Sequence, residues 1–318
     1  MLMADEGMFT KILIPVDDSV ASLAAQELAA YIAKTFKSRV MVLSVVSHRL
    51  LSLSYQSMVG EIGQQEFAPS QIARGEMSMP GKVAPQGSGG GLSPKLITEM
   101  NDYYHQRGND VADEVVKLFK EEGVLPRRKV IEHSDRADSI LREAESGRYS
   151  LIVIGRSDEK RNEATLAGTT EKVVRHAKIS VLVAGERKRI AKVLVPVDGS
   201  RGSNKALNQA VILAKKFGAK ITLLHIQEKG LFGSKPEFAD QVGKHVLAQG
   251  TRRAKGVETD ERMESGDVGK KIGEIAEKEN FDIIVMGNKG HGGIKRFFLG
   301  SASNHVLHYT EHSVLIIK

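Results

Sequence analysis

Residues 11–19 read KILIPVDDS, and residues 192–200 read KVLVPVDGS. Each stretch contains a short apolar run that ends at an aspartate, which is typical of a buried strand in a parallel sheet. A second pair of runs, LIVIG at 151–155 and IIVMG at 283–287, follows in the same order. Because the same succession of segments occurs twice, we predict that the chain consists of two copies of one structural unit.

The length of the chain agrees with two copies, because 318 residues are enough for two domains of ordinary size. We predict a first domain over 1–185 and a second over 191–318, joined by the basic stretch 185–191. The first copy also contains an insertion at about 47–93, whose composition over 77–91 is typical of a loop. We expect a surface loop there, and the alternative is a lid or a docking arm.

Short apolar runs alternate with segments of helical periodicity in the second copy. We predict strands at 192–197, 220–226, 260–263, 281–286 and 314–317, and helices at 204–217, 236–250, 268–278 and 302–309. Such alternation produces a parallel sheet with right-handed crossovers and helices on both faces. Ligands of these sheets bind beyond the carboxyl ends of the strands, where the strand order reverses. We expect the first and fourth strands, which end at Asp198 and Gly287, to flank that point.

The segment 285–303, VMGNKGHGGIKRFFLGSAS, follows the fourth predicted strand of the second copy. Glycines at Gly287, Gly290 and Gly300 would let backbone N–H groups approach an anion without interference from a Cβ atom. The helix predicted next would add unpaired donors and a positive dipole end, and Ser301 would offer a hydroxyl at its N-cap. The alternative is an ordinary strand-to-helix loop in which the glycines serve only for turning.

The spacing Gly287-x2-Gly290-x9-Gly300-Ser301 resembles the ATP-binding signature of the universal stress protein family, and the resemblance extends over nearly the whole chain. It implies two tandem Rossmann-like α/β domains of the adenine nucleotide alpha hydrolase type, each with a five-stranded parallel sheet and helices on both faces. It also implies an adenine-nucleotide site in the second copy. The binding residues expected from the resemblance are Pro196, Val197, Asp198, Ile226, Met286, Gly287, Gly290, His291, Gly300, Ser301, Ala302 and Ser303.

The resemblance also implies a role for several of these residues. Asp198 is expected to hold the ribose or the adenine edge, Ile226 to offer backbone groups to adenine, and Gly287 to lie beside the ribose. The residues expected to hold phosphates are Gly290, Gly300 and Ser301. The implied ligand is ATP, or AMP derived from it, with Mg2+ or Mn2+ as an optional partner of the triphosphate.

The first copy departs from this signature. Asp158 stands where the second copy has Gly290, and a carboxylate there would repel phosphate. Gly168 and Thr169 keep the spacing, but the helix and strand that follow align only with a one-residue deletion. We therefore expect the first copy to have lost or changed its ligand, so that one chain holds one nucleotide.

Composition argues against several other functions. The chain has no cysteine, which excludes disulfides and thiolate chemistry. No apolar run reaches the length of a membrane span, so we expect a cytoplasmic protein with no membrane partner. The net charge of +7 raises the question of nucleic acid, but the basic clusters lack the interleaved aromatics of single-strand binders. Nucleic acid is therefore an unlikely partner.

The lack of recognisable catalytic groups favours a binding protein over an enzyme. We expect a nucleotide-dependent regulator or sensor in a stress response that acts on an unknown protein partner. The alternative is a slow metal-dependent ATP hydrolase that uses the same site. No catalytic acid, base or nucleophile can be named, and the ten histidines form no convincing set of metal ligands.

Each copy ends in a predicted strand, at 180–184 and 313–317. An uncovered strand edge can pair with other chains, so proteins usually cover such edges. Members of the family that this chain resembles usually pair their domains through the last strand. We predict that the two strands pair within the chain as a pseudo-dimer, and a homodimer of chains is a further expectation.

Overall fold

The computed structural model describes residues 7, 9–46, 94–132, 135–156, 168–227, 236–288 and 299–318. The predicted insertion at 47–93 lies outside these residues. So do Asp158 of the first copy and the predicted site residues Gly290 and His291 of the second.

The two halves of the chain contain the same succession of strands and helices. The first half consists of β1 (Lys11–Val16), α1 (Val20–Phe36), β2 (Arg39–Val46), α2 (Pro94–Glu121), β3 (Arg127–Glu132), α3 (Arg136–Ser146), β4 (Leu151–Gly155), α4 (Thr169–His176) and β5 (Ser180–Ala184). The second consists of β6 (Lys192–Pro196), α5 (Arg201–Phe217), β7 (Lys220–Gln227), α6 (Pro236–Arg253), β8 (Thr259–Ser265), α7 (Val268–Lys278), β9 (Ile283–Gly287), α8 (Ser301–Tyr309) and β10 (Ser313–Ile317). We call β1 to β5 with their helices the first unit, and β6 to β10 with theirs the second unit.

The strands form one sheet in the order β3-β2-β1-β4-β5-β10-β9-β6-β7-β8. All neighbours within a unit are parallel. The first strand of each unit lies between its second and fourth strands, so the strand order reverses where the sequence predicted. The predicted α/β fold, with a five-stranded parallel sheet in each unit, is confirmed.

The last strands of the two units pair with each other, as predicted. β5 and β10 run antiparallel, with Leu182 opposite Leu315. The backbone N–H of Gly185 donates to the hydroxyl of Ser313 at 3.0 Å, and the backbone N–H of Lys318 reaches the hydroxyl of Ser180 at 3.5 Å. The junction therefore covers one edge of each five-stranded sheet.

Helices cover both faces of the sheet because the strands carry apolar side chains on both faces. The buried residues of α1, α2, α5 and α6 belong to the aliphatic layer on one face. Those of α3, α4, α7 and α8 belong to the layer on the other face. The rings of Tyr31 and Phe217 stack with centroids 4.7 Å apart, which joins α1 of the first unit to α5 of the second.

Predicted boundaries in the second unit differ from those of the structure by up to three residues. The helix predicted at 204–217 begins three residues earlier, because the hydroxyl of Ser200 accepts a hydrogen bond from the N–H of Ser203 at 3.1 Å and caps it. The strand predicted at 260–263 extends over Thr259–Ser265 because all seven residues pair with β7. None of the helices that the structure describes is long and apolar enough to cross a membrane.

Candidate functional site

The carboxyl edge of the second unit begins where β6 ends, at Pro196. The N–H of Val197 still donates to the carbonyl of Leu224 at 2.8 Å, and the chain then leaves the sheet. Asp198 is half-buried at this point, and its Oδ1 accepts a hydrogen bond from the N–H of Ser200 at 2.8 Å. The start of α5 thus holds the Asp198 carboxylate at the predicted place.

A histidine beneath this edge was not predicted as a site residue. The Nδ1 atom of His225 lies 2.8 Å from the carbonyl oxygen of Val197, and the side chain is buried. Because a carbonyl only accepts, Nδ1 carries the proton. His225 therefore holds the backbone just before Asp198. In the sequence, this position is marked only by a difference between the two copies, because the first copy has Ser44 where the second has His225.

Gly287 is required by packing, whatever binds nearby. A Cβ atom there would lie 2.7 Å from the carbonyl carbon of Gly202 in the first turn of α5. Its counterpart Gly155 is under the same constraint, since a Cβ would lie 2.2 Å from the carbonyl oxygen of Ala21. Packing alone is therefore enough to explain Gly155 and Gly287, without a ligand.

The N-terminus of α8 differs in one respect from the prediction. Ser301 was expected to be the N-cap, but the N-cap is Gly300, which has φ −62° and ψ 152°. The reason is that the N–H of Gly300 donates to the carbonyl of Asn288 at 2.8 Å, which fixes the glycine in an extended conformation. Ser301 is instead the first helical residue and is exposed. No side chain among the described residues caps the first turn of α8.

The remaining predicted residues occupy two environments. The hydroxyl of Ser303 is buried and donates to the carbonyl of Gly287 at 2.8 Å, so it ties α8 to β9. Met286 belongs to the core, and Ile226 packs against the same cluster. Ala302 also packs on this cluster from the first turn of α8. The described part of the predicted site is thus an edge formed by the ends of β6, β7 and β9 and the start of α8.

The corresponding helix of the first unit begins differently. The hydroxyl of Thr170 donates to the carbonyl of Gly155 at 2.9 Å, which is the counterpart of the bond between Ser303 and Gly287. The two helices have the same number of residues from this hydroxyl-bearing residue to their last residue. In total, however, α4 has 8 residues and α8 has 9. The one-residue deletion predicted from the alignment therefore lies at the N-terminus of α4. Its N-cap Gly168 has φ 80°.

Metal-ligating side chains are not grouped in the described part of this edge. Within the described ranges, no three histidine, aspartate or glutamate residues lie close enough together to hold a metal ion. The histidines of α8 are packing residues: burial lowers the pKa of His308, and the ring of His305 lies 4.3 Å from that of Tyr309.

Comparisons with known proteins agree with the repeated architecture. A sequence model of the universal stress protein family matches residues 8–185 and again residues 189–318. Universal stress protein MJ0531 of Methanocaldococcus jannaschii is 30% identical over 138 residues, which are 40% of this chain and 81% of that protein. Universal stress protein YxiE of Bacillus subtilis is 30% identical over 145 residues, which are 40% of this chain and 98% of that protein.

Solved structures resemble the chain over its whole length. A universal stress protein from Archaeoglobus fulgidus has a TM-score of 0.64 and 20% identity, and the match covers 97% of this chain and 98% of that one. A similar protein from Pseudomonas aeruginosa also has a TM-score of 0.64, with 16% identity. At these identities the likeness concerns the fold alone. On the two matches of the family model, the chain belongs to the universal stress protein family and carries the family's unit twice.

Proposed function

We propose that the second unit binds an adenine nucleotide, ATP or AMP, and that its occupancy regulates how the chain associates with another protein in a stress response. The observation that carries the proposal is the N-terminus of α8, where no side chain of the described residues forms a capping hydrogen bond and which lies at the same sheet edge as the Asp198 carboxylate. One end of this edge suits an anion, and the other suits the hydroxyl groups of a sugar.

The anion-binding end is supported by the start of α8. The first turn of a helix has N–H groups without intrahelical partners and carries the positive end of the helix dipole. Gly300 and Ser301 place no bulky side chain in front of these donors, and Ser301 adds an exposed hydroxyl. Such an end favours phosphate.

The adenine end is supported by the direction of hydrogen bonding in β7. Backbone groups of a strand point alternately to its two neighbours. The carbonyl of Leu224 accepts from Val197 on the side of β6, so the N–H and C=O of Ile226, two residues later, point to that side also. β6 has ended by then, at Pro196. We propose that these Ile226 groups form hydrogen bonds with the adenine edge.

Isothermal titration calorimetry with ATP tests the proposal, and the repeat supplies a matched control. Asp198→Ala should weaken ATP binding at least about tenfold, which corresponds to about 1.4 kcal/mol. Asp17→Ala makes the same change in the first unit and should leave the affinity unchanged. ATP recovered intact after incubation would support binding over hydrolysis. An absence of ATP binding by the unaltered chain, or equal losses in both variants, would contradict the proposal.

A further inference from the structure

The first unit keeps a cavity at the sheet edge where the second unit has its candidate site. The cavity has a volume of about 420 Å³, which is within the usual range for small-molecule pockets. It lies beyond the ends of β1, β2 and β4 and is bounded by the starts of α1, α3 and α4. Its lining includes buried apolar side chains from the sheet and from α3, namely Val16, Leu43, Val45, Ile140 and Ile154.

A guanidinium group stands at this cavity where the second unit has an aliphatic side chain. Arg136 is the first residue of α3, and Val268 is the first residue of the equivalent helix α7. The Nη1 atom of Arg136 lies 3.6 Å from Oδ2 of Asp17, and the two side chains are 48% and 43% exposed. An ion pair at this separation and exposure is weak, so an incoming anion can compete with Asp17 for the guanidinium.

The carboxylate of Asp17 has protein partners on both oxygens. Its Oδ1 accepts hydrogen bonds from the N–H of Ser19 at 3.2 Å and from the hydroxyl of Ser19 at 2.6 Å. Its Oδ2 faces Arg136. Asp17 is thus less available to the hydroxyl groups of a sugar, and the strongest binding group left at the mouth of the cavity is the cation.

A second guanidinium group lies at the wall of the cavity. Arg156 lines it, and its guanidinium donates to the carbonyl oxygens of Leu307 and His312 in the second unit. Arg156 thereby joins the wall of the cavity to the second unit.

We propose that the first unit binds a small organic monoanion with an apolar body, and that Arg136 holds its anionic group. The apolar lining accepts the body of the ligand, and the single guanidinium of Arg136 pairs with one anionic group. A triphosphate would bring several negative charges beside the Asp17 carboxylate, which repels them. The site is separate from the nucleotide site proposed for the second unit and takes a different class of ligand.

The proposal is tested with a pair of probes of nearly equal shape, benzoate and benzamide. Methyl NMR signals of Ile140 and Ile154 report on the cavity of the first unit, and those of Ile272 and Met286 report on the second unit. The titrations are done both without ATP and with excess ATP. We expect benzoate to shift the signals of Ile140 and Ile154 and to bind at least about tenfold more tightly than benzamide, because only benzoate pairs with the guanidinium.

Two variants separate a binding role of Arg136 from a merely structural one. Arg136→Val installs the residue that the second unit has and should abolish the preference for benzoate. Asp17→Asn removes the competitor for the guanidinium and should strengthen benzoate binding. Well-dispersed signals of Ile140 and Ile154, together with unchanged signals of Ile272 and Met286, show that both units of each variant are folded. Equal affinity for the two probes, displacement of benzoate from the first unit by ATP, or weakening by both variants would overturn the proposal.

Discussion

In the second unit α8 starts after an extended glycine, Gly300, whereas in the first unit α4 starts one residue later, after Gly168 with φ 80°. Both helices are nevertheless fixed to the preceding strand by the same bond, from a buried hydroxyl to a glycine carbonyl. Both units therefore keep the contact that fixes the helix to the strand, and they differ in the first turn of that helix. Packing and the proposed ligand binding use different atoms of one short segment, so one can change while the other stays.

The largest effect on stability is expected from substitution of Gly155 and Gly287, the glycines that end β4 and β9. In Gly155→Ala the new Cβ would lie 2.2 Å from the Ala21 carbonyl oxygen, and in Gly287→Ala 2.7 Å from the Gly202 carbonyl carbon. Backbone must move in both, so we expect losses of about 3 kcal/mol in the free energy of unfolding, with the greater loss at Gly155. Urea denaturation of the ligand-free chain measures them.

A third glycine supplies the control for these variants. Gly273 lies within α7, and a Cβ there would meet no atom within 4 Å. Gly273→Ala should therefore stabilise the chain by up to about 1 kcal/mol, through helix propensity alone. If Gly155→Ala and Gly287→Ala also left the stability unchanged, the glycines would not be explained by packing, and a role for them in ligand approach would become the better interpretation.

The second test concerns the cations that join the units. Arg156 donates to Leu307 near the end of α8, and Nζ of Lys318 donates to Val174 near the end of α4, at 2.7 Å. Each cation comes from the opposite unit and interacts with the negative end of a helix. We expect Arg156→Ala, which also loses the 2.9 Å bond to His312, to cost about 2 kcal/mol, and Lys318→Ala about 1 kcal/mol.

Thermal unfolding of these two variants at low and high salt measures the effect. Because the bonds to carbonyls are not ion pairs, the part of each loss that comes from these bonds should fall only slightly with added salt. Lys178→Ala is the control, since Lys178 is exposed and pairs within the first unit with Glu145. A loss in Lys178→Ala as large as that in Arg156→Ala would show that the pairing between units is not the cause.

The sequence predicted the fold well because its signals are local and repeated. The apolar runs before Asp198 and Gly287 predicted the strands, and the repeat predicted an equivalent sheet in each unit. The pairing of β5 with β10 was also predicted, from the resemblance to a family that pairs its domains through the last strand and from the need to cover edges. The contact of Arg136 with Asp17 could not be predicted in this way. It depends on the mutual orientation of α3 and β1, which only the packed sheet defines, and the same holds for His225 beneath Val197.

The third test concerns the glycine that distinguishes the two copies in sequence. Gly290→Asp gives the second unit the residue that the first has as Asp158, although both positions lie outside the described residues. We expect ATP affinity, measured by calorimetry, to fall at least about tenfold, or about 1.4 kcal/mol, because a carboxylate repels phosphate. The reverse change Asp158→Gly should not create ATP binding in the first unit, since α4 still begins one residue late. A gain of a second ATP there would contradict the importance of the helix start.

The smallest expected effect lies where the first unit has polar groups and the second has apolar ones. Glu143 and Tyr149 occupy the positions of Ile275 and Phe281. The hydroxyl of Tyr149 donates to Oε1 of Glu143 at 3.0 Å, and Lys129 Nζ donates to Oε2 at 2.7 Å. Burial alone would raise the pKa of Glu143, but the hydrogen bonds from Lys129 and Tyr149 outweigh it, so the pKa lies below its ordinary value.

A lowered pKa in the folded state implies that the ionised Glu143 stabilises the fold. This contribution is fully present above the ordinary pKa of glutamate, about 4.3, and is lost as the pH falls through the lower value of the folded state. Glu143→Gln should therefore cost about 1 kcal/mol at pH 7 and progressively less below about pH 4, where the protonated glutamate resembles the amide. Urea denaturation across this pH range measures the difference. Glu145→Gln, at an exposed pair with Lys178, should change the stability little at any pH. A cost of Glu143→Gln that stayed constant on acidification would mean that its shape, and not its charge, supports the first unit.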